Sequence, residues 1–284
     1  MTSPVVRRAS RRRVHLTYTQ NTVLSCECKE QAMTAPTIPG AEPMSVVGNR
    51  DAGVLVLHGF TGNPGSMRGL AEACVAAGFH VEMPQLAGHG TAMEDMIPTR
   101  WADWSRDAEA AYQTLAQRVS KVVVMGLSMG GALTLWVGAE HPEVLGLVCV
   151  NPATQPQAPE VMEMLKGMVD SGVEVMDGIG SDIAEPGVVE TAYPGTPLAA
   201  LYSFQVDGLT PLSKRYGATK MPLLLFSSIQ DHVVSPSDSD ALMAEYGGPK
   251  EQVKLERSYH VATQDYDKDI IFEGAVAFAQ RVTA

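Results

Sequence analysis

Short runs of uninterrupted apolar residues, separated by segments with apolar positions at helical spacing, leave this chain few folds to adopt. Gly53-Val-Leu-Val-Leu57 is such a run, and it stops at His58-Gly59. Residues 66–77 (SMRGLAEACVAA) read as a helix closed by Gly78, where a left-handed cap is expected. Phe79–Pro84 reads as a short strand and Trp101–Arg118 as a helix. Lys121–Gly126 is a second continuous strand, followed by a helix over 129–139. Val144–Val150, Leu223–Ser228 and the short Val253–Leu255 supply further strands, and residues 270–282 the closing amphipathic helix. A strand apolar at every residue must be covered on both faces. The pattern therefore predicts an α/β protein with a mostly parallel, doubly wound sheet. From Pro152 to Met221 the rhythm breaks into Pro, Gly and scattered Met162, Met164, Met168 and Met176 without a strong strand. Such a gap is too long for a bare loop, so a small inserted cap built of short helices is expected at about 152–221.

Composition narrows the functional classes. The formal net charge of −11 lacks the basic footprint of a nucleic-acid binder, so no nucleic-acid partner is expected. No run approaches the length of a membrane-spanning helix. Charge is unevenly spread: residues 1–32 hold Arg7, Arg8, Arg11, Arg12, Arg13 and Lys29 against Glu27 and Glu30, a net of +4 that leaves −15 for the remainder. No apolar stretch follows the arginines, which argues against a secretory signal. Residues 1–39 are expected to be a disordered basic arm, with Met33 the expected true start, and 40–284 to form the domain. Cys26 and Cys28 form a lone C-x-C with no second pair for zinc. Cys74 and Cys149 fall in a predicted helix and strand, as reduced core thiols do. A cytoplasmic protein with no metal and no cofactor is the resulting expectation.

Chemistry concentrates at strand ends. Gly126-Leu127-Ser128-Met129-Gly130 is a G-x-S-x-G lying between an apolar strand and a helix, the sharp turn that lifts a serine above a sheet. A serine hydroxyl needs a base, and the base an orienting carboxylate. In a doubly wound sheet both belong just past the ends of later strands. Asp231 follows Leu223–Ser228, and His260 follows the last short strand, giving the order Ser128, Asp231, His260. Of the other histidines, His58 is placed to shape the turn after the first strand, His89 sits in a Gly-His-Gly loop, and His232 precedes the last strand. Asp265, Asp267 and Asp269 suit the N-terminal dipole of the closing helix. The loop His58-Gly59-Phe60-Thr61-Gly62 is placed to present the Phe60 N–H to a developing oxyanion beside the Met129 N–H.

These residues resemble the α/β-hydrolase superfamily, and within it the bacterial carboxylesterases and monoacylglycerol lipases. The likeness runs from about Gly40 to the C-terminus. It rests on Gly40-Ala41-Glu42-Pro43, His58-Gly59-Phe60-Thr61-Gly62, Gly88-His89-Gly90-Thr91 and Gly126-Leu127-Ser128-Met129-Gly130-Gly131. It continues through Ile179-Gly180-Ser181-Asp182, Asp231-His232-Val233-Val234 and Ser258-Tyr259-His260-Val261-Ala262-Thr263. The resemblance implies a serine ester hydrolase working through an acyl-enzyme on a small lipid ester, foremost a monoacylglycerol. Ser128 would be nucleophile, His260 base, Asp231 its orienting acid, and Phe60 and Met129 the oxyanion donors. It also implies that Glu190 reads the glycerol hydroxyls and that Ile179 bounds the alcohol pocket. Three readings stand beside it: a general carboxylesterase or thioesterase, a non-catalytic ligand-binding relative, and haloalkane or epoxide chemistry, which Ser128 disfavours. Whether the protein is a monomer or a homodimer is left open.

Overall fold

A computed structural model describes residues 35–178 and 180–284, all within one compact unit. Residues 1–34 of the basic arm, with its two cysteines and the start at Met33, and Ile179 lie outside the described residues. The chain forms β1 (Met44–Val46), β2 (Ala52–Leu57), α1 (Arg68–Ala76), β3 (His80–Met83), the short α2 (Met93–Met96), α3 (Trp101–Ala116), β4 (Lys121–Leu127), α4 (Met129–Glu140) and β5 (Gly146–Val150). After an inserted segment come β8 (Leu223–Ser228), α8 (Pro236–Glu245), β9 (Lys250–Leu255) and α9 (Lys268–Val282). The main sheet runs β1-β3-β2-β4-β5-β8-β9, antiparallel only at β1 and parallel elsewhere. The doubly wound expectation holds.

The continuous apolar runs are explained by two cores. Leu55 and Leu57 of β2, Val122 and Val124 of β4, and Leu147 and Cys149 of β5 face α3 and α4. Their alternates Val54, Val56, Val123, Met125, Val148 and Val150 face α1 and α9. Successive side chains point to opposite faces, so a strand covered twice has no polar position. Cys74 and Cys149 are buried free thiols, and burial pushes the Cys74 thiol up to about 12. At the sheet edge β9 carries Lys250, Glu251 and Lys254, charges that discourage pairing with another chain.

Two features depart from the sequence reading. β1 was not anticipated; three residues with half-exposed side chains give no periodic signal. The domain's packing also begins before Gly40, because Ile38 packs on the core and donates its N–H to Gly90 O at 2.8 Å.

The inserted segment holds α5 (Pro159–Asp170), β6 (Val175–Asp177), β7 (Gly195–Pro197), α6 (Leu198–Ser203), a π-helical turn over Phe204–Leu209, α7 (Thr210–Leu212) and a 3₁₀ turn at Ser213–Ala218. Short helices were expected, whereas the antiparallel β6–β7 ribbon was not. Its strands are too short to alternate visibly.

Where β4 turns into α4, a Cβ on Gly130 would collide with the backbone carbonyl of Leu57. On the exposed helix α5, a Cβ on Gly167 meets nothing within 4 Å. Gly130→Ala is therefore expected to destabilise by about 3 kcal/mol, while Gly167→Ala stabilises by about 0.5–1 kcal/mol through helix propensity. Denaturant midpoints of the two variants check the opposite signs.

Candidate active site

The turn from β4 to α4 is tight enough to force Ser128 to φ +58° and ψ −119°, a conformation that L residues rarely adopt and that costs about 1–3 kcal/mol. Three backbone bonds hold it there. Ser128 N–H donates to Val150 O at 3.0 Å, and Ser128 O accepts from Ala132 at 3.1 Å and Ala153 at 3.2 Å. The flanking glycines are required by close approach: a Cβ on Gly126 would strike Gly130 O, and one on Gly131 would lie 2.6 Å from Pro152 Cβ. The serine hydroxyl makes no capping bond, and Ser128 lines a cavity of about 440 Å³ beneath the inserted segment.

Asp231 and His260 meet at the ends of β8 and β9. His260 Nδ1–H donates to Asp231 Oδ2 at 2.8 Å, and both side chains are nearly closed to solvent. The other oxygen, Asp231 Oδ1, accepts from the N–H groups of Val233 and Val234, each at 2.8 Å. Three bonds thus fix the carboxylate, and the carboxylate fixes the imidazole tautomer, leaving Nε2 as the ring's free nitrogen. His260 and Ser128 line the same cavity.

The loop after β2 passes directly over the serine, since a Cβ on Gly59 would lie 3.3 Å from Ser128 Cβ. His58 sets its course. Leu86 N–H donates to His58 Nε2 at 3.2 Å, so the ring's hydrogen is on Nδ1 and donates to Gly59 O at 3.0 Å. That bond orients the Gly59–Phe60 peptide, whose opposite edge carries the Phe60 N–H. Burial, then the neighbouring His89, push His58 down to about 3, which keeps the ring neutral and this tautomer in place. His89 is likewise pushed to about 4 by burial and packs edge-on to Trp104. The Phe60 ring is held by Trp104 and Phe204 at centroid distances of 5.6 and 6.3 Å. Met129 is fully buried, and its N–H belongs to the first turn of α4, where the helix dipole favours negative charge.

Glu190 belongs to the loop between β6 and β7, not to a helix. Its carboxylate lies over the loop after β2, where a Cβ on Gly62 would fall 2.8 Å from Glu190 Oε1. Burial raises its carboxyl above the ordinary value, opposed by His260 and by a hydrogen bond with Ser66. The surrounding segment is stapled down: Tyr193 N–H donates to Thr61 O at 3.0 Å, and the Asn63 amide donates to Thr191 O. Val161, Met164, Leu165, Met168, Leu201 and Leu209 give the cavity a largely apolar lining, with Gln155, Gln157 and Gln205 among them.

Ser128, Phe60, Glu190 and His260 therefore share one cavity, with Asp231 behind His260 and Met129 beneath Ser128. Asp265 and Asp267 depart from the dipole reading. Their carboxylates turn back to accept from backbone N–H groups of residues 257–259. Burial acts to raise Asp267, yet its bonds from Arg257 and Ser258 hold it below the usual carboxylate range. Sequence reasoning also missed Asn151, at φ +42°, whose amide donates to His260 O at 2.8 Å and whose Oδ1 accepts from Ser228 N–H at 2.7 Å. The available signal was a lone amide at the end of an apolar strand. Among the described residues no group of three or more His, Cys, Asp or Glu side chains is arranged to hold a metal ion.

The family model described as "Serine aminopeptidase, S33" matches residues 48–178. The thermostable monoacylglycerol lipase of Bacillus sp. (strain H-257) is 42% identical over 247 residues, covering 86% of this chain and 96% of that protein. The carboxylesterase of Bacillus subtilis (strain 168) is 25% identical over 234 residues, covering 82% and 94%. Among solved structures, a metagenome-derived lipolytic enzyme superposes with a TM-score of 0.82 at 41% identity, covering 87% of this chain and all of its own. A soluble variant of monoglyceride lipase from Saccharomyces cerevisiae, at 15% identity and TM-score 0.70 over 87% and 96% of the two chains, shares the fold.

A carboxyl raised above its unfolded value holds its proton more tightly in the folded state. Stability is then highest below the ordinary value of 4.5 and is lost as pH rises toward the raised one. Glu190→Gln removes that loss. The variant is expected to melt above the wild type near neutral pH, with the gap closing in acid; a gap of constant size across a pH series of thermal melts would contradict it.

Proposed function

The chain belongs to the α/β-hydrolase superfamily and is an ester hydrolase, and from that premise we propose that it is a monoacylglycerol lipase working through a Ser128–His260–Asp231 triad. The observation that carries the substrate is the placement of Glu190, a buried carboxylate over the loop after β2, in the cavity of Ser128 and His260 that is otherwise lined largely by aliphatic and Met side chains. A monoacylglycerol has that polarity. Its diol head suits a single carboxylate acceptor, and its tail suits flexible thioether and aliphatic walls.

In this reading Ser128 Oγ attacks the ester carbonyl as His260 Nε2 takes its proton. The Phe60 and Met129 N–H groups receive the negative charge that develops on the carbonyl oxygen. His260 then returns the proton to the glycerol oxygen as the C–O bond breaks, leaving an acyl-Ser128. Water, deprotonated by the same imidazole, attacks the acyl carbonyl; the bond to Ser128 Oγ then breaks, His260 returns the proton to Oγ, and the fatty acid leaves. Asp231 stays ionised and stabilises the imidazolium at each step. The neutral state of His58 suits its part here, since an imidazolium would lose the acceptor that Leu86 N–H requires. The 42% identity to the Bacillus lipase, and the 86% of the chain over which it extends, support the same substrate class.

Ser128→Ala is expected to lower kcat by roughly 10⁴-fold or more with the melting temperature kept or raised. Steady-state hydrolysis of a medium-chain monoacylglycerol and of the nitrophenyl ester of the same acid separates the substrate readings. Glu190→Ala should lose about 10–100-fold more kcat/KM on the glyceride than on the nitrophenyl ester, the range of a hydrogen bond to a charged group. Equal losses on both would leave a general carboxylesterase.

A further inference from the structure

The loop that carries His260 lies outside helix and strand, so its backbone hydrogen bonds must be met elsewhere. Five consecutive N–H groups are met by aspartates. Arg257 and Ser258 both donate to Asp267 Oδ2 at 3.0 Å, and Tyr259 donates to Asp265 Oδ2 at 2.9 Å. His260 donates to Asp182 Oδ2 at 3.0 Å, and Val261 to the Asp182 backbone carbonyl at 3.1 Å. Asp265 and Asp267 come from the segment leading into α9 in the core. Asp182 alone comes from the inserted cap, 78 positions away along the chain.

The same carboxylate reaches the acid. Asp182 Oδ2 also accepts from His232 N–H at 3.2 Å, and Asp182 Oδ1 accepts from His232 Nδ1–H at 2.9 Å. His232 is the residue next to Asp231, and its ring packs edge-on to Tyr259, the residue before His260, at 4.5 Å. Asp182 is largely closed to solvent while His232 is exposed. The loops bearing the acid and the base belong to different strand ends. Besides the Asp231–His260 bond, Gln230 Nε2–H donates to Glu256 O at 3.0 Å and Asn151 bonds both Ser228 and His260, and to these core contacts the cap carboxylate adds bonds from the N–H groups of His232 and His260 themselves.

We propose that Asp182 is a positioning residue that holds the His260 and Asp231 loops in register, so that the cap supplies part of the alignment of the catalytic pair as well as the substrate wall. The inference rests on the triad reading given above. Neighbouring bonds make the cap segment a firm mount: Ala184 and Glu185 N–H donate to Asp265 at 2.8 and 3.0 Å, and Glu190 N–H donates to Ser181 Oγ at 2.9 Å. Substrate that presses on Glu190 therefore presses on a segment bonded to His260. A shift of the imidazole by a fraction of an ångström would be felt in proton transfer and not in substrate affinity.

The test compares wild type, Asp182→Ala and Asp182→Asn in the full chain, each assayed well below its own melting temperature on the matched glyceride and nitrophenyl ester. Asp182→Ala is expected to lose about 10–100-fold in kcat with KM moved less than about 3-fold, and equally on both substrates, because the base and not the substrate is displaced. Asp182→Asn keeps an oxygen for the His260 N–H and is expected to recover most of the loss. Asp182→Glu, which moves the carboxylate by one methylene, gives the same readout should the alanine variant not fold, with kcat falling at least about 5-fold. A loss carried by KM, a loss confined to the glyceride, an asparagine variant as impaired as the alanine one, or an unaltered kcat in the alanine or glutamate variant would overturn the assignment. Stoichiometric labelling of wild-type Ser128 by an alkyl phosphonate separates the two levels. Labelled wild type with an unaffected Asp182→Ala removes this inference alone, whereas unlabelled wild type removes the triad and the inference with it.

Discussion

The reversal of the chain at Ser128 is the constraint around which the other elements are arranged. To hold a non-glycine residue at φ +58°, the turn needs β5 on one side, through Val150 O, and the start of the cap on the other, through Ala153 N–H. It needs glycine at 126, 130 and 131, because β2, α4 and Pro152 close on it from three directions. The same closeness brings Gly59 against the serine and the N-terminus of α4 beneath it. A strained backbone at a functional position persists only when its surroundings over-determine it. Here the surroundings are two layers of core and the central strands of the sheet.

Charge is handled differently on the two sides of the cavity. On the side of the proposed oxyanion hole, burial keeps His58 and His89 uncharged, and a neutral imidazole of fixed tautomer sets the peptide that carries the Phe60 N–H. On the side of the proposed base, carboxylates are gathered: Asp231 against the His260 ring, with Asp182, Asp265 and Asp267 against the loop's backbone. Each is met by N–H donors, as a buried carboxylate requires. A polarity gradient results, with donors facing one side of Ser128 and acceptors ordering the other. That arrangement suits moving one proton from a hydroxyl toward an imidazole while negative charge grows on the opposite side.

The cap combines two surfaces that would conflict on one element. α5 and the π-helical turn offer aliphatic, Met-rich walls, some of them open to solvent, as Met164 is. The loop from Gly180 to Tyr193 carries Ser181, Asp182 and Glu190 and is stapled to the core by Asn63, Thr61 and Asp265. The firm part lies against the groups proposed for chemistry, and the aliphatic part faces the space left for an acyl chain.

The layered parallel sheet, the serine turn, and the placement of Asp231 and His260 after the last two strands were legible in the sequence. They are local consequences of periodicity and of residues at strand ends, where a turn must expose whatever follows. The polarity of Asp265 and Asp267 was legible too, yet their partners were not: a carboxylate before a helix suits the helix dipole or a neighbouring loop equally well in one dimension. Asp182, Asn151, Asn63 and the three-residue β1 carry no periodic signal, and their bonds join segments as much as 128 positions apart. Chain pattern thus determined the frame and the candidates, because burial on two faces and a tight turn are written in neighbouring residues. Which carboxylate holds which loop was decided only by the tertiary structure, because a side chain's hydrogen-bond partner depends on where distant strands end in space.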